Sequence, residues 1–194
     1  MTIQTAELVR DYNGQSLPLP GTYELDRAHS SVEFVSRHLM ITKVRGRFTD
    51  FEGRIHIDEV PEQSWAEASV DVRSLDTADE RRDTHLRSPD FFDVERFPTL
   101  SFRSTRVEPA GDRAWKVHGE LTVRDVTRPI TLEVQFEGAT SDPWGGRRIG
   151  FSATADVDRE EWGLTWNQVL ESGGLLVGPK VRIEVAVQAV LVED

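Results

Sequence analysis

The chain contains no cysteine, which excludes disulfides, thiol nucleophiles, thiolate zinc sites and iron–sulfur clusters. A small stapled scaffold is therefore ruled out, and a hydrophobic core must hold the fold. Positive charge is also short, with 23 Lys and Arg against 34 Asp and Glu for a net charge of −11. Without a Lys/Arg block, tracking nucleic-acid phosphates or adhering to an anionic bilayer is disfavoured, and uncharged ligands or soluble partners fit better. No apolar run approaches the ~18 residues of a membrane-spanning helix. The stretch from Met1 to Glu7 lacks the basic start and apolar run of an export signal, so a cytoplasmic location is expected. Helical periodicity is scarce as well.

What the chain does have is an ordinary globular mixture, 38% apolar against 29% charged, which excludes disorder throughout. Its 194 residues suit one domain. Residues 1–20 end in the breaker cluster Leu17-Pro18-Leu19-Pro20-Gly21 and read as an extension or tether, with the domain spanning 21–194. From Gly21 onward the dominant signal has period two, the mark of strands with one buried face. Trp115, Val117, Gly119, Leu121 and Val123 alternate with polar neighbours, and Ile130, Leu132, Val134 and Phe136 follow after a turn. Pro129 is expected to open that second strand. The pattern resumes at Ile149, Phe151, Ala153 and Ala155, and again from Val181 to Leu191, so consecutive strands form a meander. About nine strands are expected in all. One short polar helix is expected between residues 77 and 88, where Thr77 and Glu80 have capping-box spacing and Pro89 ends the run.

Strands with one apolar face must close on themselves or stack as a sandwich. The inward positions favour a barrel, because Ser36, Gly53, Ala66, Ala68, Ser104, Gly119, Ala153 and Ala155 are small where a sandwich core would carry branched side chains. Either these residues empty a cavity for an apolar ligand, or bulky neighbours fill the space across the barrel.

Chemistry-bearing patterns are few. His29, His38, His56, His85 and His118 show neither H-x-H nor H-x-x-x-H spacing, so no metal site is expected. The glycine pairs at 145–146 and 173–174 lack a P-loop lysine and read as turns. Asp83 and His85 stand two apart and do not share a helical face, which favours anchoring of the helix over an acid–base dyad. No residue is assigned a catalytic role. Two connections carry unusual apolar bulk. Phe91, Phe92 and Phe97 lie between Ser88 and Pro98, where they either plug one barrel end or line its mouth, plugging being expected of Phe91 and Phe92, and Trp162 to Val177 forms a connection long enough for a lid or binding loop, the alternative being a packed cap.

The run Arg82-Asp83-Thr84-His85-Leu86-Arg87-Ser88-Pro89-Asp90-Phe91-Phe92-Asp93-Val94-Glu95-Arg96-Phe97-Pro98 resembles the signature of the YceI-like polyisoprenoid-binding proteins. Supporting stretches are Leu25-Asp26 with His29-Ser30-Ser31, Gly46-Arg47-Phe48, Ser74-Leu75-Asp76-Thr77, Gly119-Glu120-Leu121-Thr122 and Arg159-Glu160-Glu161-Trp162-Gly163-Leu164. The resemblance implies an all-β, lipocalin-like extended antiparallel barrel with an internal apolar tunnel. It also implies that the tunnel holds a long apolar chain, such as a polyprenyl quinone or related long-chain isoprenoid lipid, with no obligatory cofactor. The expected role is binding, carrying or sequestering such a lipid; the alternative is an enzyme acting on a hydrophobic isoprenoid-type substrate, with His85 or His38 as base. By strand parity, the candidate lining residues are Phe34, Phe51, Phe102, Phe136, Phe151, Val185 and Val187, with Leu39, Met40, Trp162, Leu164 and Trp166 near the openings. His38 shares the parity of Phe34 and is expected either to meet a head group or to make a structural hydrogen bond. Long strand edges and outer faces leave a homodimer open.

Overall fold

The computed structural model describes residues 8–171 and 173–192. Within them lie thirteen strands and one α-helix. A hairpin of β1 (Val9–Tyr12) and β2 (Gln15–Pro18) precedes the main sheet. The sheet is built from β3 (Gly21–Leu25), β4 (Ser31–His38), β5 (Thr42–Phe48), β6 (Phe51–Ile57), β7 (Trp65–Asp71), β8 (Leu75–Asp76), β9 (Thr99–Gly111), β10 (Ala114–Val123), β11 (Val126–Ser141), β12 (Arg147–Asp158) and β13 (Val177–Leu191). The helix α1 (Glu80–Arg87) follows β8.

Eight of these strands close an antiparallel barrel in the order β3-β6-β7-β9-β10-β11-β12-β13, with β13 returning to β3. The long strand β13 also pairs with β4, and β4, β5 and β8 extend the sheet from it. Closure removes the exposed edges that a sheet of this size would otherwise present. It also places alternate side chains inside. One cross-strand row runs Trp115, Val134, Ala153, Val185, Val32, so five neighbouring strands present apolar groups to the same interior level.

Both ends of the interior are packed. At one end Tyr23, Ile57, Phe136, Ile149 and Ala189 form a buried cluster. At the other, Leu121, Val123, Trp162 and Leu164 pack with Phe92, which also contacts the cluster of Phe48, Phe51, Val70, Val72, Leu75 and Val94. Phe91 is likewise buried, so this aromatic connection plugs the end as its composition predicts.

Several expectations need correction. The segment expected to be a tether is, over its described part, the β1–β2 hairpin: Leu17 is 3% exposed and packs on Val107 and Trp115. Leu17 and Leu8 bury apolar area that a free tether would leave in water. The helix N-cap is Asp79, whose side chain accepts from the Arg82 N–H, whereas Thr77 donates to the buried Asp83 carboxylate. Pro129 lies inside β11 rather than at its start. It is tolerated because β11 pairs only with β10 there, its ladder to β12 beginning at Glu133.

Candidate functional site

Between the two packed ends the barrel holds a cavity of about 210 Å³. Its wall takes Leu25 from β3, Phe51, Ile55 and Ile57 from β6, and Ala66, Ala68 and Val70 from β7. Phe102 and Val107 from β9, Val117 from β10 and the cross-strand row complete it. The space exists because Ala66 and Ala68 stand on one wall and Ala153 on another, where longer side chains would meet.

Small residues elsewhere make no room. A Cβ at Gly119 would collide with the Phe102 ring and stand 2.6 Å from the Arg103 carbonyl oxygen, and a Cβ at Gly46 would collide with Phe34. At Gly53 a Cβ would come within 2.9 Å of Leu25 Cδ1. Ser104 spends its hydroxyl accepting the Ala66 N–H at 2.8 Å. Three of the eight small inward residues, Gly53, Ser104 and Gly119, are thus covered by neighbours, and Ala66, Ala68 and Ala153 leave the cavity.

Among the described residues no charged group points into this space. The only charged residues on its margin, Arg54 and Glu67, send their charges to the outer face, where Arg54 meets Glu24 and Glu67 meets Arg103 at 3.5 Å. Two larger depressions, about 600 and 850 Å³, lie on that outer face and are lined by charged and hydroxyl side chains. Their polar linings contrast with the apolar lining of the barrel cavity, which is the site with binding character.

Of the residues chosen by parity, Phe51, Phe102, Phe151, Val185 and Val187 border the cavity. Phe136 is one layer beyond, 1% exposed, with its ring 5.3 Å from that of Phe151 and Arg113 stacked 5.0 Å from its centroid. Phe34 is taken up by its contact with Gly46 and by Phe48, 5.7 Å away. Trp162 and Leu164 are buried in the end cluster, and the Trp162 indole donates to the Leu121 carbonyl at 3.0 Å. Trp166 lies against His85 and Phe91, at 4.5 and 5.3 Å between ring centroids. His38 ends β4 opposite Val177, apart from the cavity lining. Leu39 and Met40 occupy the exposed β4–β5 tip, both with left-handed backbone at φ 52 and 58°. A tight turn takes precedence there over side-chain burial.

Parity reasoning passed over two features. Leu17 and Pro18 of the β1–β2 hairpin also border the cavity, although nothing in their local pattern says so. Arg159 is 5% exposed and donates to the carbonyls of Leu164 and Gly178, the latter at 3.1 Å. Burial pushes its guanidinium below the usual arginine value. The connection from Trp162 to Val177 therefore has both ends tied to one buried side chain. Asn167 adds a donor to the Val177 carbonyl at 2.7 Å and accepts the Val177 N–H at 3.1 Å. Ser172, within this connection, lies outside the described residues.

His85 has Asp90 for a partner, its Nε2 standing 2.9 Å from the carboxylate, and it too is absent from the cavity lining. Among the described residues no three His, Asp or Glu side chains converge as metal ligands would, and no helix is long and apolar enough to cross a membrane.

Comparison with known proteins follows the same lines. The profile of the YceI-like domain matches residues 23–189. The chain belongs to the YceI-like family. A UPF0312 protein of Staphylococcus aureus strain USA300 is 34% identical over 169 residues, which cover 86% of this chain and 95% of that protein. The crystal structure of BcnA from Burkholderia cenocepacia superposes on this YceI-like chain with a TM-score of 0.75 at 22% identity, covering 84% of this chain and 98% of BcnA. A polyisoprenoid binding domain from Saccharophagus degradans, implicated in plant cell wall breakdown, gives 0.68 at 15% identity and covers 90% of this chain and all of that domain. At such identities the likeness is one of fold.

Proposed function

We propose that this YceI-like chain binds an isoprenoid or similarly apolar lipid inside its barrel and carries or sequesters it there. The observation that carries the reading is an apolar cavity inside the barrel whose only charged lining residues, Arg54 and Glu67, pair on the outer face. Burying hydrocarbon in such a space contributes ~25 cal/mol per Å² removed from water. The family and the polyisoprenoid binding neighbour support an isoprenoid as the chemistry, and a polyprenyl quinone is one member of that class. The two histidines considered as bases, His38 and His85, both stand off the cavity, which favours binding over turnover.

Mass spectrometry of organic extracts from the natively purified protein tests this reading. An intact apolar lipid, released on unfolding and displaced competitively by added isoprenoid, is the expected result. A folded protein that yields no lipid and takes up none would refute it.

A further inference from the structure

The β1–β2 hairpin lies wholly before residue 23, where the match to the YceI-like domain begins. It nevertheless contributes to the cavity wall, through Leu17 and Pro18. Two contacts strap it across the barrel end. On one side the Arg10 guanidinium donates to the carbonyls of Asp58 at 2.6 Å and Glu59 at 2.8 Å, and meets the Glu59 carboxylate at 3.2 Å. On the other side the Gln15 side-chain amide donates to the Gly111 carbonyl at 3.0 Å. Between them Leu17 sits on Val107 and Trp115.

The opposite end is packed with bulky side chains. Phe92, Leu121, Trp162 and Leu164 pack there, and Arg159 ties down the connection above them. The hairpin end is different, because its closure depends on a short segment held by a few polar contacts, by the buried Leu8 and Leu17, and by Val9 packed on the end cluster. Exposed apolar side chains stand beside it: Trp65, which borders the cavity, is 38% exposed and Val60 is 40% exposed. The latch is also incompletely satisfied, since Arg10 Nε is buried with no hydrogen-bond partner among the described residues.

We infer that the β1–β2 hairpin is a length stop, with Leu17 and Pro18 ending the cavity and restricting it to the short chains of its ligand class. At about 210 Å³ the cavity is smaller than the roughly 300–1,000 Å³ of pockets that enclose a drug-sized ligand. A short isoprenoid alcohol fits within it. A long polyprenyl tail has to displace Leu17 from Val107 and Trp115 and break the Arg10 latch before it can pass. The stop thus acts as the specificity determinant of the lipid site, and it rests on the lipid-binding reading above.

The test measures affinities of the full chain for geraniol, farnesol, geranylgeraniol and a long polyprenol, by displacement and by thermal midpoint. Wild-type protein is expected to favour the short alcohols over the long polyprenol by about tenfold or more. Leu17→Ala, which opens the wall, should narrow that gap to within about threefold, the ratio of long-chain to short-chain affinity being the quantity read. Arg10→Met releases the latch while leaving Leu17 in place, so it supplies the same comparison if Leu17→Ala does not fold. Equal or better binding of the long polyprenol by wild type, or an unchanged length profile in the folded variant, overturns the stop and leaves lipid binding standing. Failure of folded wild-type protein to bind any member of the series overturns both.

Discussion

Asp26 sits where several donors converge, and its acidity shows it. Arg148 donates to its carboxylate, His29 Nδ1 stands 2.8 Å away, and the Ala28 N–H donates at 3.0 Å. The Arg148 hydrogen bond, with His29 second, lowers its pKa from 3.8 to about 2. A carboxylate depressed in the folded state contributes stability that is fully present above its unfolded value and lost as pH falls through the folded one. Wild type should therefore lose an increment between about pH 4 and pH 2, of about 1 kcal/mol once solvent screening is allowed for. In Asp26→Asn that increment should be absent. Urea midpoints measured across the window would show a shallower acid limb in the variant, and identical slopes would count against the pairing.

Within single elements, covering by neighbours decides what a small residue does. Gly119 and Ala153 look alike as small inward positions on alternating strands, yet their surroundings differ. Gly119 lies under the Phe102 ring, so Gly119→Ala should destabilise by about 1–3 kcal/mol through overpacking against a backbone carbonyl. Thermal unfolding with the cavity unoccupied checks this, and a neutral effect would mean that β10 shifts outward. Strand parity identifies which residues face inward, and Phe51, Phe102, Phe151, Val185 and Val187 follow from it. It cannot say which inward residue is capped by a ring from the neighbouring strand, because that is set by cross-strand register. Phe34 and Phe136 share the inward parity but not the cavity for that reason, and the packing of Leu17 has no signal in the sequence because no period is legible in a four-residue strand that ends in proline. Trp162 and Leu164 were legible as apolar bulk outside strands. Their role as packed cap depends on Arg159, a charge whose burial no local pattern announces.

At the scale of the whole molecule, fold and cavity follow from one arrangement. Alternation over long strands predicts a closed antiparallel barrel, and the structure has one of eight strands. Occupying its interior should stabilise the native state by mass action, about 2.7 kcal/mol at one hundred times the dissociation constant. For a chain of this size that corresponds to a midpoint rise of several degrees with saturating short isoprenoid. Ala153→Phe places a ring in the cavity between Val134 and Val185, so it should remain folded and lose most of that rise. A calorimetric series with and without ligand checks both, and an undiminished rise in the variant would place the ligand elsewhere.

The pairing of β13 has a consequence for biosynthesis. This strand joins β12, β3 and β4, and no other strand of the described barrel closes the ring. Its partners Leu25 and Val32 leave the ribosome early, whereas Ala189 and Val185 leave after all the other barrel strands. Until then the nascent sheet is open, with the apolar faces of β6 to β12 directed at an interior that does not yet exist. Closure is therefore a late, long-range step that local propensity cannot hasten, and the interval before it is when this chain is most exposed to aggregation and most in need of a holding chaperone.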